Sequence, residues 1–228
     1  MTKSRWIIFA LLCLGILGLI IFTSKKESTS TYNGDATKVI TDGAIPDHVY
    51  GSTAGKVVLV EYADFQCPGC ESVFPLMKEI KEKYKDNLTF VFRNLPLTTI
   101  HPNALAAATA AEAAGLQGKF FEYHDLLYQN QDQWKSAQVS DRTKTFEDYA
   151  SQLGLDTNKF KTDLTNPDVT AKINRDRATA SKQGFSSTPT LMLNGQKVPQ
   201  DATFDKEKLT QLLNDEYEKA GLKPPTSE

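Results

Sequence analysis

Val57-Val58-Leu59-Val60-Glu61-Tyr62-Ala63-Asp64-Phe65-Gln66-Cys67-Pro68-Gly69-Cys70 is the stretch whose reading decides the fold. Its first half is a short, largely β-branched run, which reads as a buried strand. The period then changes. Val73, Met77, Ile80 and Tyr84 recur at helical spacing after Cys67 and mark one apolar face. Pro75 falls inside that helix and should kink it. Leu88–Arg93 reads as a second strand. Strand, helix and strand within about 40 residues predict a βαβ unit with a parallel pair.

The pair Cys67 and Cys70 sits where strand gives way to helix, and thiol chemistry needs that placement. The thiolate is the nucleophile, and a free cysteine is mostly protonated at neutral pH. A helix start offers unpaired N–H groups and the positive end of the macrodipole. Two intervening residues bring the second sulfur within disulfide reach. Pro68 suits the first helical turn, where its missing N–H is not needed. Cys67 is then the exposed nucleophile and Cys70 the more buried resolving thiol. A zinc site normally takes four ligands, and no second cysteine pair or close His–His spacing is present. A purely structural disulfide across two residues would constrain almost no chain entropy. The reading therefore calls for no metal and no cofactor.

Outward from this unit the chain turns helical. Ala104–Ala114 is alanine-rich and stops at Gly115. Phe120, Tyr123, His124 and Leu127 form a second stripe. Helical patterns follow over Phe146–Leu153, Asn158–Leu164 and Val169–Lys182, with Asp156 and Asn166 as N-caps and Gly154 and Gly184 as stops. Strands return at Thr190–Leu193, then Asn194-Gly195 signals a tight hairpin and Lys197-Val198 begins the return strand. Asp205–Ala220 is a closing amphipathic helix. The predicted class is α/β: a mixed sheet flanked by helices, with a helical insertion at about 101–183.

Composition and charge narrow the function classes. The 228 residues are 40% hydrophobic and 24% charged, enough for a core without staples. A net charge of −2 leaves no basic footprint for nucleic acid. Lys3 and Arg5 precede an apolar run, Trp6–Phe22, that Lys25 and Lys26 close, and no small-residue cleavage pattern follows it. Residues 1–23 are expected to be a signal anchor rather than a cleaved signal, with the amino terminus inside and the domain outside. Cys13 is read as a small apolar residue of that helix. Residues 24–47 are polar and read as a tether, with the domain over 48–228. An exported domain with one close cysteine pair is not a disulfide framework.

A resemblance adds to this reading. Asp64-Phe65-Gln66-Cys67-Pro68-Gly69-Cys70 after a strand is similar to the DsbA-like family of the thioredoxin superfamily. So are Gly51-Ser52 ahead of the strand, Arg93-Asn94-Leu95-Pro96-Leu97 with His101 and the alanine-rich run, Gln117-Gly118-Lys119-Phe120, and His124-Asp125-Leu126-Leu127. Gly184 through Thr188-Pro189-Thr190 to Asn194-Gly195 resembles that family's proline loop and hairpin. The likeness runs in order from Val49 to Gly221. It implies a thioredoxin-like fold and thiol–disulfide oxidoreductase activity, with Pro68 and Gly69 as the dipeptide that tunes redox poise; Gly69 departs from the residue of the most oxidising members. It implies a cis Pro189 facing the sulfurs, with the Thr188 backbone open to an extended substrate. It also implies that Glu61 is a buried acid passing protons to Cys70, where the residues alone allow equally an outward strand position or an ion pair. His101 reads as a capping or surface residue, His124 as a satisfied core histidine, and His48 carries no signal.

The expected cycle is oxidation of exported protein thiols by the Cys67–Cys70 disulfide, with reoxidation by a membrane partner of the DsbB or VKOR type. Alternatives are a reductase or isomerase on the same fold, since exchange runs both ways, or a peptide-binding module whose cysteines are vestigial.

Overall fold

A computed structural model describes residues 38–226. The expected membrane anchor, Cys13 and most of the expected tether lie outside the described residues. Five strands, β1 (His48–Gly51), β2 (Val57–Ala63), β3 (Leu88–Asn94), β4 (Thr190–Leu193) and β5 (Gln196–Lys197), form one mixed sheet in the order β1-β3-β2-β4-β5. The predicted parallel pair is β2 with β3; β1 runs antiparallel to β3, and β4 antiparallel to β2. Helix α1 (Pro68–Tyr84) makes the β2–β3 crossover and runs on through Pro75. Proline there removes only the bond its N–H would have given to the Glu71 carbonyl.

Between β3 and β4 the chain forms α2 (Ala104–Gly115), α3 (Phe120–Gln129), α4 (Gln131–Trp134), α5 (Val139–Gln152), α6 (Thr157–Asp163) and α7 (Pro167–Lys182); α8 (Gln200–Thr203) and α9 (Lys206–Lys219) follow the hairpin. The caps form as their side chains dictate. Asp156 accepts from the N–H groups of Asn158 and Lys159, and Asn166 from that of Asp168. Asn194 and Gly195 take φ of 44° and 82°, the left-handed pair that a tight hairpin requires. The return strand starts one residue earlier than the sequence suggests, at Gln196.

Strand alternation sorts the core onto two faces. Val57, Leu59 and Ala63 of β2 and Leu88, Phe90 and Phe92 of β3 pack with α1, α9 and the insertion. Val60, Tyr62 and Val91 face the other way, against Met192 and Ala180. Glu61 shares its face with Leu59 and Ala63, so the strand points it under α1 rather than to solvent.

Residues 38–47 correct the expected tether boundary. Ile40 and Ile45 are buried, and Asp47 is enclosed with Arg93 at 2.8 Å and Lys172 at 3.5 Å. Two isolated isoleucines carry no periodicity, which is why the segment reads as polar linker. The ion pair belongs to a buried cluster. Lys172 also meets Asp176 at 2.6 Å, and Glu112 takes a bond from Asn94 and contacts His48 at 2.7 Å. His48 in turn stacks on Phe120 with ring centroids 3.5 Å apart. The cluster ties the leading segment, β3, α2 and α7 together. Removing one partner of such a group strands a buried charge. Asp47→Ala should therefore lower stability by roughly 3–5 kcal/mol in urea unfolding; a loss under about 1 kcal/mol would show that this segment is not anchored there.

Candidate redox site

Cys67 is the N-cap of α1, with φ −70° and ψ 125°, and Pro68 opens the helix. The turn ahead of it is held from several directions. Cys67 N–H donates to the Asp64 carbonyl at 3.0 Å. Asp64 is buried, and its carboxylate accepts from Gln66 N–H at 2.7 Å, Leu97 N–H at 2.8 Å and His101 Nδ1 at 2.7 Å. Gln66 accepts from Asn103 N–H and donates to the Lys135 carbonyl, so the insertion grips the loop before the cysteines. Gln131 Nε2 donates to the carbonyls of Phe65 and Cys67 at 2.9 and 3.3 Å.

The two sulfurs are free thiols in unlike surroundings. Cys67 is 8% exposed and Cys70 1%. The Cys67 thiol is lowered to about 5, first by a hydrogen bond from Cys70, then, against the penalty of burial, by the Thr188 side chain and the N–H groups of Cys70 and Gly69. Burial pushes Cys70 well above the ordinary thiol range, and the negative charges of Cys67 and Glu61 push it further. Around neutral pH one sulfur is a thiolate and its neighbour a thiol that donates to it.

Thr188–Pro189 is a cis peptide. Thr188 lies just outside β4, its carbonyl 3.5 Å from Cys67 Sγ. Its Oγ1 is buried and, among the described residues, bonded to nothing else, which leaves it to the Cys67 thiolate. Gly69 keeps this face open: a Cβ there would sit 3.3 Å from Pro189 Cδ and 3.6 Å from Cys67 Sγ. Phe204, 46% exposed, borders the same spot and would lie 3.7 Å from that Cβ.

Glu61 is 2% exposed, beneath α1 on the sheet, and burial raises it to about 7, with Lys81 opposing. It is register partner to Leu191, two residues past Pro189. Cys67, Cys70, Glu61, Thr188 and Pro189 thus converge at the carboxyl end of β2, with Pro68 and Gly69 between the sulfurs. His101, read from sequence as a capping or surface residue, instead pairs with Asp64 behind the cysteine loop. Phe204, Gln131 and Asn103 are further residues the sequence reading left out. Gln131 and Asn103 act by packing distant loops together, which no local pattern records. Phe204 is the one with a visible signal, an aromatic between the short helix α8 and the closing helix α9 with no place on either apolar stripe.

The Cys67 thiolate, followed by its ultraviolet absorbance, should titrate with a midpoint near 5. Thr188→Val, which keeps the shape and loses the hydroxyl, should raise that midpoint by about one to two units, the worth of one hydrogen bond to a charged group. An unchanged midpoint would show that the hydroxyl does not reach the sulfur.

Comparison with known proteins agrees with this geometry. A family model described as Thioredoxin matches residues 44–215. Among curated relatives, Na(+)/H(+) antiporter NhaA 3 of Salinispora tropica is 36% identical over 178 residues, 78% of this chain but 26% of the antiporter. The chain thus spans about a quarter of the length of that relative. A thioredoxin-like oxidoreductase from Silicibacter pomeroyi is 28% identical with a TM-score of 0.61, covering 77% of this chain and 92% of the other. Wolbachia pipientis alpha-DsbA1 shares the fold at a TM-score of 0.67 and 23% identity, covering 76% and 92%. With the family model spanning most of the chain, and the mixed sheet and helical insertion in place, the chain belongs to the thioredoxin family.

Proposed function

We propose that this chain is a thiol–disulfide oxidoreductase that introduces disulfides into exported proteins through Cys67 and Cys70. The observation that carries the proposal is the asymmetry of the pair, a thiolate near pKa 5 beside a thiol pushed well above the ordinary range. A substrate thiolate attacks Cys67 of the resting disulfide because Cys67 is the less buried sulfur. Cys70 leaves and takes a proton, for which Glu61 is the nearby acid. A second substrate thiolate then attacks the substrate sulfur of the mixed disulfide, and Cys67 leaves as a stabilised thiolate. The substrate gains a disulfide and the enzyme ends reduced. Thr188 and Pro189 form the wall along which an extended substrate segment would lie.

The low pKa of Cys67 favours the oxidising direction. Stabilising the reduced form makes the disulfide form the better oxidant. The apolar run at residues 6–22 supports a membrane-tethered, extracytoplasmic placement, and tethering would raise the effective concentration of a quinone-linked membrane partner that restores the disulfide. No helix among the described residues is long and apolar enough to cross a membrane.

Two outcomes are expected. Cys70→Ser removes the thiol that releases stalled substrates, so it should accumulate mixed disulfides on Cys67 with exported thiol proteins, seen as adducts lost on reduction. Adducts confined to cytosolic proteins, or none, would count against the scheme. The second outcome concerns stability. Cys67 is lowered from an ordinary value of 9.0 to about 5 in the folded, reduced protein, whereas the disulfide has no thiol to titrate. A depressed acid contributes stability that is full above the unfolded value and lost as pH falls through the folded one. The reduced form should therefore gain roughly 2 kcal/mol, discounted for partial hydration. At about pH 8 it should unfold about 5 °C above the oxidised form, with the margin closing as the pH approaches 5. A more stable disulfide form at neutral pH would point to a reductant.

A further inference from the structure

The end of the sheet that carries the cysteines holds a second concavity, which the thiol chemistry leaves unused. A cleft of about 450 Å³ opens between the loop that follows β3 and the second half of α7. Leu95, Leu97 and Phe185 make its apolar side, and Thr98, Asn174 and Arg177 its polar rim. Leu97 and Phe185 are only partly covered, packed from outside on the core layer of Val60, Tyr62 and Val91. A space of this size is ordinary for a binding site.

Both walls lead to the reactive sulfur. On one side Leu97 N–H donates to the Asp64 carboxylate at 2.8 Å, and the Asp64 carbonyl takes the N–H of Cys67 at 3.0 Å. On the other side Phe185, edge-on to Tyr62 at 5.3 Å, opens the loop that ends at Pro189. The Thr188 carbonyl of that loop is 3.5 Å from Cys67 Sγ. From Phe185 to Thr188 is about 10 Å of extended chain. A substrate strand lying along Thr188 therefore reaches the cleft within about three to five residues of its cysteine.

The rim is positive. Arg177 is exposed and, among the described residues, makes no hydrogen bond or ion pair. Arg175, by contrast, is tied to the leading segment, donating to the Asp42 carbonyl at 2.8 Å and facing Asp47 at 3.6 Å. Lys197 reaches the same apolar wall, its Nζ 5.5 Å from the Phe185 ring centroid. Among the described residues that line the cleft, Arg177 is the one charged group. The carboxylates behind it are already engaged, Asp64 with His101 and Asp176 with Lys172. The whole chain carries a net charge of −2, so this rim does not reflect a general surplus of cations. The loop wall also ends in an uncovered apolar side chain, Ile100, 67% exposed. An apolar wall beside an unpaired guanidinium matches a peptide in which an apolar residue adjoins a carboxylate.

We propose that this cleft is a substrate subsite for an apolar residue next to an acidic one, about three to five residues from the substrate cysteine, with Arg177 selecting the carboxylate. The proposal rests on the thiol–disulfide reading and adds to it a preference among protein thiols. The subsite holds the flank of the substrate and does not touch the sulfurs. It acts by binding, so it raises kcat/KM for matched substrates without changing the chemistry at Cys67.

The test mixes the oxidised protein with short reduced peptides that carry two cysteines. Each has Leu-Asp, Leu-Lys or Gly-Ser about four residues from a cysteine, on one side or the other. Acid quench and mass spectrometry give the second-order rate of peptide oxidation. At low salt the wild type should oxidise the better-placed Leu-Asp peptide about fivefold faster than its Leu-Lys counterpart. The ratio should fall towards one at high salt. Arg177→Glu should invert the order. Ala178→Trp, which fills the cleft from an exposed position on α7, should bring the Leu-Asp peptide to the rate of the Gly-Ser one. Each result is a ratio within one protein, so a general loss of stability or activity in a variant does not imitate it. Equal rates for the Leu-Asp and Leu-Lys peptides in the wild type would overturn the subsite, and so would the same ratio in wild type and Arg177→Glu. Should Ala178→Trp fail to fold, the Arg177→Glu ratio decides alone. Reduced glutathione, too short to span from Cys67 to the cleft, separates this proposal from the one beneath it. A protein that oxidises glutathione but shows no preference among the peptides loses the subsite alone. A protein inert towards glutathione and every peptide loses the thiol–disulfide reading, and the subsite with it.

Discussion

A negative charge on Cys67 Sγ, held at the first turn of α1, is what the surroundings of the site are arranged to support. The charge exists at neutral pH because Cys70 donates to it from below, the Thr188 side chain reaches it from the side, and the N–H groups of Gly69 and Cys70 point at it from the helix start. Each contributor comes from a different part of the chain. Cys70 belongs to α1, Thr188 to the loop before β4, and the loop geometry to Asp64, whose carboxylate is filled by Gln66, Leu97 and His101. The sheet is what brings these together, since β2 lies between β3 and β4 and delivers the cysteine loop beside the proline loop.

The same arrangement makes the second sulfur unlike the first. One turn of helix carries Cys70 from the surface into a layer closed by Phe65, Phe74 and Tyr128. A thiolate there loses its hydration and sits near Glu61, so it must be protonated when it leaves a disulfide. Glu61, itself raised to about 7, can hold or give a proton over the range in which exchange proteins work. Reactivity at Cys67 and reluctance at Cys70 are therefore two consequences of one strand-to-helix junction.

Much of this was readable in the residues. The β-branched run at Val57–Val60, the helical stripe through Tyr84 and the Asn194-Gly195 turn are local signals, and the elements form where those signals lie. The cysteine spacing likewise declares its chemistry at a helix start. What local pattern leaves out is long-range pairing. His48–Gly51 is a strand only because β3 offers an edge, and residues 38–47 are folded only because Arg93 and Lys172 wait for Asp47. The placement of Glu61 needed the register of β2, because a one-residue slip would turn it to the opposite face. His124 sits on an apolar stripe as expected of a core histidine, yet its Nε2 has no partner among the described residues, and no spacing rule reports that.

The reduction potential of the Cys67–Cys70 pair, measured in the full chain by equilibration against glutathione, tests the central claim most directly. If the Cys67 thiolate is stabilised as described, the reduced form is favoured and the potential should lie towards about −120 mV, as in strong oxidants. A value towards about −270 mV, as in thioredoxin, would contradict the account, because it would mean that the protein gives electrons to its targets rather than taking them.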